Sequence, residues 1–377
     1  MQRPLSGFRI IELAGIGPGP FAGQILADLG AELICVERPG AGLGLGPEAI
    51  ERRGKQFITV NLREADGVNL VLKLVAQSHG LFEGNRPGVA ERLGIGPAAC
   101  HAINPRLVYA RMTGWGQTGP WANKAGHDIN YLSMTGALQA IGTRDAPPPP
   151  PLNLLGDYGG GSMNLVIGML AGLLKAQSSG EGDVIDCAIV DGVGAMMGVV
   201  YSLAQVNLWQ TRRQANLLDG AMPFYRCYAT KDDRFMAVGC IEPQFFTVML
   251  ETLNLDSTEF GGQMDPSCWP RQHQTLEELF ATRSRDEWAQ LFDAVDACVT
   301  PVLDYQEATT HTHADARAAY QTIKGHVHPR SFPVFASVPN EPDHSVNPPG
   351  SDSRNILESL GYDEAHITQL TERGVVR

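Results

Sequence analysis

The chain has 377 residues, 43% hydrophobic and 19% charged, a balance that excludes disorder and fibrous repeats and predicts a soluble, folded protein. Single domains run to roughly 100–200 residues, so the length calls for two. A formal net charge of -12 argues against a nucleic-acid partner, because binding a phosphate backbone needs basic surface that releases counterions.

Residues 8–13 (FRIIEL) are β-rich; Phe21, Ile25, Leu26 and Leu29 then fall on one helical face, and ELICVE follows as a second strand, a βαβ opening. Strand patterns over 57–62, 80–83 and 107–112 alternate with helical ones such as Val68, Val71, Leu72 and Val75. That alternation predicts a parallel sheet with helices on its faces. After the proline run 147–151, residues 157–178 read as a long helix, VIDCA as a strand and 189–210 as a mostly apolar helix. From 222, PFYRCYA, a TKDD turn and RFMAVG predict a hairpin, followed by helices near 243–253, 274–282 and 285–293. Ser284 and Glu287 form a capping box for the last of these. A segment rich in Pro, Gly, Ser and Asp over 344–355 precedes a final helical rhythm. The expected architecture is α/β: a Rossmann-like large domain over 1–188 completed by 325–377, a linker helix over 189–221, and a small α+β domain over 222–324.

No apolar run approaches the roughly 18 residues of a membrane span, so no membrane partner is expected. The start MQRPLSGFRIIEL lacks a basic region followed by an apolar signal core, and the final GVVR is no SKL-like address. Seven scattered cysteines without CxxC spacing predict reduced thiols rather than a disulfide framework or zinc site. A cytoplasmic enzyme is the expectation.

Asp157 precedes Gly159, Gly160 and Gly161 at the mouth of the 157–178 helix, where it reads as an N-cap. The glycines clear space for a ligand to reach backbone N–H groups that carry partial positive charge. A carboxylate there can act as base, acid or nucleophile on a carbonyl compound whose oxygen those amides polarise. His127 and Asp128 in AGHDINY open another helix, and His127 is the natural acid–base partner, although either residue also fits a purely structural role. Glu242 in AVGCIEPQFF follows a strand and precedes a helix, suited to orienting an imidazole or simply to capping.

Three other readings compete. GIGPGP (15–20) and GLGLGP (42–47) hint at a dinucleotide site, but neither completes G-x-G-x-x-G. The pairs His311/His313 and His326/His328 match alternate positions of a metal-binding strand, yet lack third and fourth ligands and read better as solvated surface. The methionines of GSMNLVIGMLAG and GAMMGVV fit either an adaptable acyl pocket or ordinary core, and core is favoured.

The ordered blocks ELAGIGPGPFAGQILADLGAELICVERPG, RGKQ, NRPGV, GWGQTGP, AGHDINYL, GDYGGG, DGAMPFY, IEPQFF and DACVTPV span most of the chain. Together they resemble the family III CoA-transferase superfamily, and GHDINYL, DGAMPFY and IEPQF are more similar to its α-methylacyl-CoA racemase branch than to its transferases. The resemblance implies an interlocked homodimer, with the active site between one subunit's large domain and the other's small domain. It also implies His127 and Asp157 as catalytic acid–base groups and Glu242 as the residue holding the imidazole. Coenzyme A contacts are implied at Arg38, at Val60, Asn61, Leu62 and Arg63, and at Gly126, Asp128, Ile129, Asn130 and Tyr131; Arg86 and Arg92 are further phosphate candidates, with bare surface arginine as the alternative. The implied reaction is epimerisation of 2-methylacyl-CoA through an enolate, with no cofactor beyond the CoA of the substrate. The rival within the superfamily is CoA transfer with Asp157 as nucleophile.

Overall fold

The computed structural model describes residues 2–40, 46, 49–323, 325–338 and 346–377. Two compact units divide the chain: Met1–Gly136, Pro150–Met197 and Ala318–Arg377 form the first, and Ala137–Pro149 with Gly198–Arg317 the second.

The first unit is built on six parallel strands: β1 (Arg9–Leu13), β2 (Glu32–Glu37), β3 (Lys55–Thr59), β4 (Gly80–Glu83), β5 (Val108–Thr113) and β6 (Asp183–Ala188). Their order across the sheet is β3-β2-β1-β4-β5-β6. Apolar runs such as RIIEL and ELICVE are buried nearly throughout, as strands covered on both faces must be. Helix Ala65–Ala76 buries Leu70, Val71, Leu74 and Val75 in the same core as Ile34, Val36 and Ile58, and the C-terminal helices Ser353–Ser359 and Glu364–Glu372 add Ile356, Leu357, Ile367 and Leu370.

Charged residues are also buried under this sheet. Lys55 donates to Glu12 at 2.6 Å and to the carbonyl of Pro20 at 2.9 Å, Arg53 pairs with Asp28 at 2.5 Å, and Arg52 pairs with Glu37 at 2.8 Å. The RGKQ block thus clamps helix α1 (Pro18–Asp28) to the strands. Gly23 makes the clamp fit, because a Cβ there would stand 2.2 Å from the Glu12 carboxylate.

The second unit sets an antiparallel sheet, β7 (Tyr225–Ala229), β8 (Phe235–Gly239) and β9 (Val299–Pro301), against helices Pro243–Thr252, Trp269–Phe280 and Arg285–Asp293. Phe224, Tyr228, Met249, Phe280, Trp288 and Phe292 fill its core. The Ser284–Glu287 capping box is present.

Several expectations need correction. The helix expected over 189–210 is broken at Met197 into Ile189–Met196 and Gly198–Gln205. Asp157 does not cap the long helix: Asn153 is the cap, and Asp157 sits inside wide, five-residue-spaced turns over Leu154–Met163 that lead into helix Asn164–Ser179. His311 caps helix Thr312–Ala316, so His311 and His313 share no strand. His328 is buried rather than solvated, on β11 (His326–Pro329), which pairs with β10 (Tyr320–Ile323). GLGLGP lies outside the described residues except for Gly46.

Candidate active site

Between β1 and β4 the strand order reverses, so the chain leaving each strand turns away from the other and a crevice opens beyond their C-terminal ends. Ala14–Gly17 forms one lip on the way to α1, and Gly84–Arg86 forms the other. Gly17 is left-handed at φ 73, and a Cβ there would stand 3.5 Å from a carboxylate oxygen of Asp157. Pro18 and Pro20 remove two amides from the start of α1, which suits a helix start but not the amide cradle of a pyrophosphate site.

A cavity of about 630 Å³ occupies this crevice; Gly17, Asn85, Trp115, His127, Tyr131 and Asp157 are among the residues that line it, with Arg38, Arg86 and Lys124 supplying positive charge. His127 and Asp157, distant in sequence, therefore face one space. His127 caps helix Asp128–Met134, its backbone N–H donating to Asn130 Oδ1 at 3.1 Å while its side chain stays exposed. Asp157 is half-buried, and burial first, then the neighbouring Asp128 carboxylate, pushes its carboxyl up to about 6, against the opposing pull of His127. A group poised there exchanges protons readily near neutral pH.

Asp128 is buried, and its Oδ2 accepts the backbone N–H of Asp157 at 2.7 Å. The amide expected to polarise a substrate oxygen is thus engaged by a side chain. Nor do the three glycines face the cavity. Gly160 packs against Ile189 and Val193, Gly161 against Ile189 and Pro18, and a Cβ on Gly192 would stand 2.0 Å from the Gly160 carbonyl oxygen. The run exists to bring the Asp157 turns close to helix Ile189–Met196. The methionine Met169 is core, packed beneath Gly80.

A second groove, about 660 Å³, runs beside the cavity over Val36–Gly40, Val60–Arg63, Asn85, Val89 and Leu93, and it shares Leu13, Ala14, Arg38 and Asn85 with the first. Val60, Asn61, Leu62 and Arg63 therefore meet Arg38 in one channel. Asp128, Ile129, Asn130 and exposed Arg92 line neither hollow. Glu242 belongs to the second unit, as the exposed cap of helix Pro243–Thr252. Sequence reasoning missed Trp115 and Lys124 as cavity residues; their GWGQTGP neighbourhood, rich in glycine and aromatics between strand and helix, was the available signal. Among the described residues no cluster of three or more His, Cys, Asp or Glu could hold a metal ion.

A model of CoA-transferase family III matches residues 5–350. The alpha-methylacyl-CoA racemases of Mus musculus and Homo sapiens are 40% and 38% identical to this chain, each over 99% of it and 97% of their own length. A CAIB/BAIF family protein from Brucella suis superposes with a TM-score of 0.83 over 96% of this chain and 100% of its own, at 24% identity, a likeness of fold. With a family match over nearly the whole length and a crevice placed where such sheets bind ligands, the chain belongs to CoA-transferase family III.

Proposed function

We propose that this protein interconverts (2R)- and (2S)-2-methylacyl-CoA thioesters by moving the C2 proton between His127 and Asp157. The observation that carries the reading is that these two groups border one cavity, with the Asp157 carboxyl raised to about 6. One group removes the proton, C2 becomes planar in the enolate, and the conjugate acid of the other returns a proton from the opposite face. Each direction needs one group protonated and the other not. A carboxyl poised near 6 serves both states, whereas a nucleophile for CoA transfer is best kept ionised. The identity to the two racemases supports the same conclusion.

In this reading the acyl thioester enters the cavity, and its CoA handle follows the adjoining groove past Arg38 and Val60–Arg63. Arg38, at the junction, is the natural phosphate partner, with Arg86 at the cavity lip. No cofactor besides the CoA of the substrate takes part, and Glu242, on the small domain of the other subunit in the implied dimer, orients the imidazole of His127. The protein works as a cytoplasmic homodimer; its seven cysteines are all unpaired, in keeping with a reducing compartment. Exposed Ile167 and Leu174 on one helix face of the first unit offer apolar surface for a second copy, as do exposed Val199, Tyr201 and Leu208 in the second unit. No helix among the described residues is long and apolar enough to cross a membrane.

The test is epimerisation and C2 deuterium uptake in heavy water. Asp157→Asn and His127→Ala should each lower racemisation by about two to four orders of magnitude. Full activity in either variant removes that residue from the mechanism. Transfer of CoA from the thioester to free carboxylates, without epimerisation, would replace the reading with its transferase rival.

A further inference from the structure

The stretch that delivers His127 to the cavity runs from the end of β5 at Thr113 to the helix start at Asp128 without a strand or helix of its own. Tyr131, in the first turn of that helix, is gripped by it. The hydroxyl of this largely buried residue donates to the carbonyl of Gly126 at 2.5 Å. A Cβ on Gly114 would stand 2.1 Å from the Tyr131 ring and one on Gly126 2.8 Å from it, so backbone closes on the ring from both ends of the stretch. Trp115 meets the ring edge-on at 4.9 Å, Trp121 meets Trp115 in the same way, and the Lys124 ammonium lies 4.2 Å over Trp121. Gly126 is bonded directly to His127, whose own N–H is held by Asn130. The backbone on either side of the imidazole is therefore fixed, while the imidazole faces the cavity.

We propose that Tyr131 is the positioning residue for His127, its hydroxyl setting the approach of the imidazole to C2 by holding the Gly126 carbonyl. This rests on the racemase reading and deepens it: the hydroxyl proton is committed to the Gly126 carbonyl, so the work of that bond is orientation. Burial, and then the negative charges of Asp157 and Asp128, raise the phenol above its usual range, so it stays a donor wherever the enzyme operates.

Tyr131→Phe keeps the ring and its packing and removes only the donor. Wild type, His127→Ala and Tyr131→Phe are each incubated in heavy water with separate 2R and 2S thioesters, and C2 deuterium is followed by NMR. His127→Ala identifies the epimer whose proton faces His127, because exchange at that epimer disappears first. Misplacement of a catalytic group by about 1 Å costs on the order of 100-fold, so Tyr131→Phe should lower kcat for racemisation by about 10- to 100-fold. KM should stay within roughly threefold, and exchange should fall at the His127-facing epimer while the other keeps most of its rate. Equal loss at both epimers, no loss at all, or a raised KM with unchanged kcat overturns the assignment. Should Tyr131→Phe fail to fold, Gly126→Ala takes its place with the same expected asymmetry, since its Cβ would crowd Tyr131 at 2.8 Å and Trp115 at 2.9 Å. A wild type that neither exchanges nor racemises removes the racemase reading itself, a result separate from those that count against Tyr131 alone.

Discussion

Asp157 shows how one carboxyl acquires a catalytic proton affinity from its surroundings. Half-burial disfavours the anion, the adjacent Asp128 disfavours it further, and His127 opposes both, leaving a midpoint of about 6. Racemisation stops when both groups of the pair are protonated, so kcat/KM should fall below about pH 6 for both epimers alike. Asp128→Asn can still accept the Asp157 N–H but carries no charge; the acid limb should move down by roughly half a unit or more in a pH–rate profile. The same shift has a stability consequence. A carboxyl whose folded pKa lies above the ordinary 3.8 contributes stability below that value and loses it as pH rises through about 6. Asp157→Asn should therefore melt about 2–5 °C above wild type at pH 8 and lose the advantage below pH 4, as calorimetry would show.

At the scale of elements, the Asp157 turns and helix Ile189–Met196 are set by close backbone contact together with the Ile189 and Val193 side chains. Tyr158 N–H donates to Asn153 C=O, five residues back, at 3.1 Å, a winding wider than an α-helix and common at functional sites. The Gly160 carbonyl then rests against Gly192 so closely that any Cβ on Gly192 must displace it. Gly192→Ala should cost about 1–3 kcal/mol in denaturant unfolding, as overpacked contacts do, and should lower kcat more than it raises KM, because what moves is the turn bearing Asp157. A variant with wild-type stability and rate would show that the contact is loose. The helical periodicity of 157–178 was legible in the sequence; the wide turn was not, since the glycines that permit it also suit a ligand-binding loop and only the neighbouring helix distinguishes the two.

For the whole molecule, the crevice depends on the β1–α1 junction, and buried charge holds that junction. Lys55 and Glu12 are each 2% exposed, and Lys55 also holds the Pro20 carbonyl inside α1. Lys55→Met would leave Glu12 buried without its partner, and loss of about 3–5 kcal/mol is expected on unfolding in urea. The double variant Lys55→Met with Glu12→Gln should recover much of that loss, because no ion is then left uncompensated. Recovery of stability without recovery of activity would locate the value of the pair in the shape of the junction. From sequence, Lys55 and Arg53 stood beside an apolar strand with no indication of partner, since those partners lie 43 and 25 residues away across the sheet and on α1.

The amino-acid sequence by itself determined the alternation of strands and helices in the first half, the hairpin and capped helix near residue 284, and His127 and Asp157 as residues to watch, because periodicity, caps and short motifs are local properties of a chain. Only the tertiary structure decided that His127 and Asp157 share one cavity, that Arg38 joins it to the groove over Val60–Arg63, that Asp128 engages the Asp157 amide, and that Tyr131 holds Gly126. These are contacts between segments brought together by a reversal of strand order between β1 and β4, and no local pattern encodes which strand ends will meet there.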